Sequence, residues 1–405
     1  MNVLFLSPGF PQEMPQFVRG LAEVGARVIG VADTPASAIP EVARHALAHY
    51  EQVPSLWDDR AMIGLARRLA DRMGIDRVEC LWEPGMILAA QLREALGLPG
   101  MTVEATLRFR DKERMKNALD AAGIRTPRHA GARTEAECRE AAERIGYPLI
   151  CKPIAGAGSA DTHRVDSADD LERVLPLIRH VPEVSVEEFV EGEEYTFDTI
   201  CSGGKIRFFN VSWYRPCPLI GRTLEWTSPQ TVSLRDPEVP RLMAGIAMGR
   251  AVLRALDFRD GFTHMEWFLR RDGVAVFGEI AARPPGAVSV DIMNYACDAD
   301  TFVGWAEAVC RGNLSAPIER KYNAAVVFKR ARGAGRIRAI HGLERLVARY
   351  RTHVVCVNLL PVGSPRRNWR QTLLSDGWLV VRHPDLAATC EMADRFGTEL
   401  VLEAG

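Results

Sequence analysis

Two glutamates in the middle of the chain, Glu266 in THMEWFLR and Glu279 in VAVFGEIAARPPG, flank an Asp272-Gly273 dipeptide, and this spacing constrains the fold more than any other feature. Asp-Gly between alternating segments favours a two-residue type I′ hairpin, which sets position 266 opposite position 279. Cβ atoms opposed in this way lie roughly 4.5 to 5.5 Å apart. Bare carboxylates that close, on a face otherwise made of His264, Phe268 and Phe277, repel unless a cation sits between them. A hard divalent ion such as Mg²⁺ suits the pair, because it takes a few carboxylates together with substrate phosphates. The expectation is a nucleotide triphosphate beside this hairpin.

The chain has 405 residues, more than a single hydrophobic core usually serves, so two to three subdomains are expected. Lys and Arg (51) nearly balance Asp and Glu (52), which argues against a nucleic-acid or membrane-surface binder. No apolar run approaches the roughly 18 residues of a membrane span. The chain begins on a short strand, MNVLFL, without a basic region before it, so a cytoplasmic location is expected. The nine cysteines include no C-x-x-C pair, and several, such as Cys151 and Cys356, sit in apolar runs as reduced core residues.

The first hundred residues alternate strands near 3–6, 27–31 and 78–82 with helices near 14–25, 57–74 and 85–97, the rhythm of a parallel α/β unit. Ser7-Pro8-Gly9 follows the first strand, where ligands often bind, but no G-x-G-x-x-G is present and a dinucleotide site is not expected. Glu83 ends the third strand and is read equally as a substrate contact or a polar strand end. His45 and His49 have helical spacing but no third ligand, so no metal is expected there.

From Asp111 a helix carries Lys112, Met115, Lys116 and Leu119 to a stop at Gly123. Lys152 then projects from a strand directly before Gly156-Ala157-Gly158-Ser159-Ala160. Glycines let backbone N–H groups cradle phosphates, and a strand-held ammonium supplies charge. Forty residues on, Glu187-Glu188-Phe189-Val190-Glu191-Gly192-Glu193-Glu194 links two apolar segments. The backbone of Glu188 to Val190 can meet an adenine edge while carboxylates reach its amino group and the ribose hydroxyls.

Taken in order, these pieces resemble the ATP-grasp superfamily over roughly residues 1–330. The matching motifs are Asp111-Lys112-x-x-Met115-Lys116 with Ala122-Gly123-Ile124-x-Thr126-Pro127, Pro148-x-x-x-Lys152-Pro153, the Glu-Glu-Phe-Val-x-Gly-x-Glu link, and Glu266 and Glu279 followed by Arg283. The resemblance implies that Lys112 and Lys152, with Gly156, Gly158 and Ser159, contact ATP phosphates. It implies that Glu187, Glu188, Phe189, Val190 and Glu194 hold adenine and ribose. Glu266 and Glu279 would bind Mg²⁺ or Mn²⁺, and Arg283, catalytic together with Lys152, would stabilise an acyl phosphate. The implied architecture is an N-terminal parallel α/β domain (1–105), an ATP-grasp domain of α/β and α+β character (106–320) and a small accessory subdomain (321–405).

One departure stands out. Many members carry Asn two residues after the second metal glutamate, whereas this chain has Ala281, which puts the second of two metal ions in doubt. The implied chemistry is attack of a carboxylate on the γ-phosphate of ATP and capture of the acyl phosphate by an amine, work that needs placed charge rather than a protein nucleophile. Pro284-Pro285-Gly286-Ala287-Val288 replaces the Gln-Val-Glu-His pattern of biotin carboxylases, which disfavours a carboxylase. The substrates expected are a small-molecule carboxylate and an amine, contacted by Arg283, Gly286 and Arg215 from the aromatic stretch 210–235. A carboxylase or phosphotransferase, and a nucleotide binder without turnover, are the alternatives. The basic run Lys329, Arg330, Arg332, Arg336 and Arg338 reads as solvated surface or an anion site, and the oligomeric state stays open, a homodimer included.

Overall fold

The computed structural model describes residues 1–155, 161–372 and 374–405. Its first sheet is parallel, with β1 (Asn2–Leu6), β2 (Arg27–Ala32), β3 (Leu47–Gln52) and β4 (Arg77–Glu79) in the order β3-β2-β1-β4. Strand alternation divides the central β1 between two cores. Val3 and Phe5 pack with Phe17, Val18 and Leu21 of the helix Met14–Glu23. Leu4 and Leu6 pack with Leu65 and Leu69 of Asp59–Met73 and with Leu88 and Leu92 of Met86–Leu96. His45 ends a short helix, Glu41–Ala46, and His49 lies in β3, so the two never share a helix face.

The second sheet is antiparallel, with β5 (His129–Ala132), β6 (Leu149–Pro153), β7 (His163–Val165) and β8 (Val184–Glu188) in the order β5-β8-β6-β7. The helix Glu135–Ile145, capped by the Thr134 hydroxyl, covers it with Cys138, Ala141, Ala142 and Ile145. Lys152 lies in β6 as expected, opposite Ser185. Gly156, Gly158 and Ser159 lie outside the described residues.

The large sheet begins with β9 (Glu193–Ser202), β10 (Lys205–Asn210), β11 (Ser212–Arg215), β12 (Gln230–Ser233), β13 (Gly261–Leu269) and β14 (Ala275–Ala281). The last segment adds β15 (Asn323–Phe328), β16 (Arg332–Gly333), β17 (Ile337–His341), β18 (Val354–Leu359), β19 (Gly377–His383) and β20 (Val401–Ala404). The sheet order is β14-β13-β9-β11-β12-β15-β19-β18, with β10 beside β9. This corrects the expected division at residue 320. β15 is buried along its whole length and pairs with β12 on one side and β19 on the other. Only β16, β17 and β20 form a sheet of their own.

The hairpin between β13 and β14 also differs from expectation. Leu269 pairs with Ala275, the Arg270 N–H donates to the Val274 carbonyl, and the Gly273 N–H donates back to the Arg270 carbonyl. The loop therefore has three residues, with Gly273 left-handed at φ +81°. This moves the register by one, and a bulge moves it back: Trp267 faces Phe277, then Glu266 faces Glu279, leaving Gly278 as the extra residue. Phe277 consequently joins Trp267 in the core instead of lying beside Glu266. The two glutamates oppose each other as expected, by a different route.

Candidate active site

Lys112 and Lys116 lie one turn apart on the helix Lys112–Ala121, started by Asp111, whose Oδ1 accepts from the Glu113 and Arg114 N–H groups at 3.0 Å. The Lys112 ammonium reaches Glu279 Oε1 at 3.1 Å. Lys152 Nζ, arriving from β6, stands 3.0 Å from Glu187 Oε2 and 4.0 Å from Glu279 Oε2. Both lysines expected at phosphates thus converge on one of the two glutamates expected at the metal, joining the second sheet to the large one.

Glu187 joins two lysines. Lys116 Nζ, fully buried, lies 2.6 Å from Glu187 Oε1, and Lys152 holds the other oxygen. Burial pushes the Glu187 carboxyl up, but the two ammonium groups outweigh it and hold it well below the ordinary range. Glu187 is therefore the counter-ion that places two lysines. Lys116 has no expected role in the motif that contains it, and its i, i+4 relation to Lys112 is the available signal.

Strand alternation brings Glu194, Thr196 and Asp198 of β9 opposite Phe268, Glu266 and His264 of β13. Asp198 Oδ1 meets His264 Nδ1 at 2.6 Å, His264 Nε2 lies 3.4 Å from Glu266 Oε1, and the Tyr214 hydroxyl donates to the same oxygen at 3.2 Å. Burial would lower His264, yet hydrogen bonds to Asp198 and Glu266 raise it to about 9. Burial likewise raises Glu266, and His264 brings it below its ordinary value. Glu194 is the exception. It is 7% exposed and has no ion pair among the described residues, and burial, reinforced by Glu266, pushes its carboxyl well up.

The other expected residues divide. Arg283 Nη2 lies 2.7 Å from Glu83 Oε2, and Arg110 bonds the other oxygen, so Glu83 connects the parallel sheet to the turn after β14. Gly286 lies in that turn and accepts from the Ser289 N–H. Glu188 turns outward to Arg125 and Arg128, the Phe189 ring lies under the Arg164 guanidinium, and Val190 is buried. Arg215, expected at the substrate, is turned away, because β11 alternates: Tyr214 faces Glu266, and Arg215 on the opposite face bonds Gln230 and Asp394 and stacks on Trp213. Lys329 and Arg330, expected at the surface, are buried and donate to the carbonyls of Phe396, Gly397, Gly221 and Leu224.

Residues 109–214 match the family model of the ATP-grasp domain. Those residues are the ATP-grasp-like part of the chain. Over a longer stretch, 249 residues are 25% identical to an L-arginine-specific L-amino acid ligase of Bacillus subtilis, covering 60% of this chain and 59% of that protein. A further 112 residues are 37% identical to a D-alanine–D-alanine ligase of Pseudomonas fluorescens, covering 27% of this chain and 35% of that one. The matches span less than two thirds of either relative. Among solved structures, an L-amino acid ligase of Bacillus licheniformis superposes with a TM-score of 0.81 at 20% identity, covering 100% of this chain and 98% of its own. An N5-carboxyaminoimidazole ribonucleotide synthetase of Thermotoga maritima gives 0.74 at 19%, covering 100% and 99%. These two establish the fold.

The donor set bears on the expected metal. Among the described residues no group of three or more His, Cys, Asp and Glu side chains is placed to hold an ion. The opposed Glu266 and Glu279 fit an ion that brings most of its ligands with it, as Mg²⁺ does on a nucleotide. Glu194, a buried carboxylate without an ion pair among the described residues, is similarly suited to the hydroxyls of a ribose.

Proposed function

We propose that this protein is an ADP-forming carboxylate–amine ligase acting on amino acids or similar small metabolites. The convergence of Lys112, Lys152 and Arg283 around Glu266 and Glu279 carries this reading. Lys112 and Lys152 would exchange Glu279 for the β- and γ-phosphates, and Glu194 would receive the ribose hydroxyls. Mg²⁺ held by Glu266 and Glu279 would neutralise phosphate charge. His264 and Tyr214 fix the orientation of Glu266. Glu83 aims Arg283, whose guanidinium is fitted to a carboxylate and to the acyl phosphate it becomes. The amine then displaces phosphate. The relatives, each named as an amino-acid ligase, support the substrate class.

No helix among the described residues is long and apolar enough to cross a membrane, and the nine cysteines are free thiols, which supports a cytoplasmic place for the reaction. The test is incubation of the purified protein with ATP, Mg²⁺ and pairs of amino acids. ADP and phosphate should appear in equal amounts, together with a dipeptide or amide. AMP and pyrophosphate would overturn the acyl-phosphate route, and turnover needing only bicarbonate as the acid would favour a carboxylase.

A further inference from the structure

Three aromatic rings stand together at the carboxyl edge of the parallel sheet. Phe10 follows β1, Trp57 follows β3 and Trp82 follows β4. Phe10 meets Trp82 edge-on at 5.4 Å between centroids, and Trp57 meets it at 5.5 Å. Only Trp82 packs onto the core beneath. Phe10 is 57% exposed and Trp57 54% exposed. Aromatic surface left open in a cluster marks a binding place more often than single exposed residues do. The carboxyl edge of a parallel sheet is also where such folds bind ligands.

Two chemical groups of complementary kind lie beside these rings. Trp82 is followed directly by Glu83, which carries the Arg283 guanidinium. The loop that holds Phe10 also holds Glu13, which is 8% exposed and has no ion pair among the described residues. Burial pushes the Glu13 carboxyl up to about 7, with Arg283 near enough to draw it partly back. The same loop touches the turn after Arg283, since Gln12 Nε2 donates to the Ala287 carbonyl at 3.3 Å. A buried carboxylate without a counter-ion is suited to a ligand's ammonium, a guanidinium to its carboxylate, and an aromatic face to an apolar side chain.

We propose that the acid activated here is an amino acid with a large apolar side chain, seated against Phe10, Trp57 and Trp82, its ammonium on Glu13 and its carboxylate at Arg283. This rests on the ligase reading and names its substrate. The site binds the acid zwitterion whole and exposes only the carboxylate to the phosphates.

Calorimetric titration tests it on the full chain with Mg²⁺ and a non-hydrolysable ATP analogue, using phenylalanine, leucine, alanine and 3-phenylpropionate. Phenylalanine and leucine should bind at least about tenfold more tightly than alanine. Phe10→Ala and Trp57→Ala, both exposed and safe for folding, should each shrink that ratio severalfold. Glu13→Gln should erase the preference for phenylalanine over 3-phenylpropionate. Equal binding of alanine and phenylalanine, or ratios untouched by the aromatic variants, would overturn the proposal. Scoring the same panel for ADP release separates the two readings. Acid-stimulated ADP release without an apolar preference sinks the proposal alone, whereas apolar-selective binding without ADP release sustains the amino-acid seat but sinks the ligase reading and, with it, the seat's role in activation.

Discussion

Gly278 lies so close to Glu266 that a Cβ added to it would stand 2.8 Å from the Glu266 carbonyl oxygen. The bulge that sets the two glutamates opposite each other therefore requires a residue without a side chain. Gly278→Ala is expected to cost roughly 1–3 kcal/mol of stability. Mg²⁺-dependent ADP release should fall at least about tenfold as Glu279 loses its place. A thermal melt and a Mg²⁺ titration of turnover check both effects, and full activity at ordinary Mg²⁺ would show that the bulge does not place the pair.

Lys116 is fully buried against Glu187. Lys116→Met leaves Glu187 with one of its two cations, and removing one member of a buried pair costs roughly 3–5 kcal/mol. Urea denaturation should show a lowered midpoint at unchanged slope. A loss below about 1 kcal/mol would mean that Lys152 alone satisfies Glu187.

Glu83 holds the Arg283 and Arg110 guanidinium groups, so on the proposed reading it acts by position. Glu83→Gln should lower kcat roughly 10- to 100-fold while the affinity for ATP stays within about twofold. Equal loss of ATP affinity, read by calorimetry, would assign Glu83 to nucleotide binding instead.

His129 sits between Glu113 Oε2 at 2.8 Å and Asp120 Oδ2 at 3.0 Å, with Lys116 also near. Burial lowers its affinity for a proton, but the two carboxylates outweigh burial and raise it above the ordinary value. A raised histidine contributes stability that is complete below the unfolded value, near about pH 6.5, and is lost as pH rises through the folded one. Glu113, held low by His129 and Ser185 against burial, contributes in the opposite sense, its share vanishing as acid protonates it. The urea midpoint of the native protein should therefore drop more between about pH 6 and pH 9 than that of His129→Gln. Parallel profiles would refute the assignment.

Glu194 is proposed to meet the ribose because it is buried without an ion pair among the described residues. Wild-type protein should prefer ATP over 2′- or 3′-deoxy-ATP, and Glu194→Ala should lose about tenfold in ATP affinity while ceasing to discriminate between the sugars. Unaltered discrimination would place the hydroxyls elsewhere.

The sequence revealed what depends on short-range chemistry. Asp111 capping the Lys112 helix, Lys152 on a strand and the opposition of Glu266 and Glu279 all follow from local pattern. It hid what depends on where a strand lands. Nothing in GEIAA distinguishes an ordinary Gly278 from a bulged one, because a three-residue loop and a one-residue bulge cancel and leave the same pairing. Arg215 and Tyr214 are both polar-tipped neighbours, and only the partner of β11 decides which meets Glu266. That Glu187 also holds Lys116 shows only once the fold brings the two together over 71 positions.

The β12–β15 seam has an engineering meaning. Cutting the chain at 320 would strip β15, β18 and β19 from the large sheet and leave β12 as a raw edge, with unmet N–H and C=O groups ready to recruit another molecule. The last eighty-odd residues cannot be shed, swapped or fused out as a cassette. On the proposed reading, grafts intended to change the substrate belong in the loops above the parallel sheet.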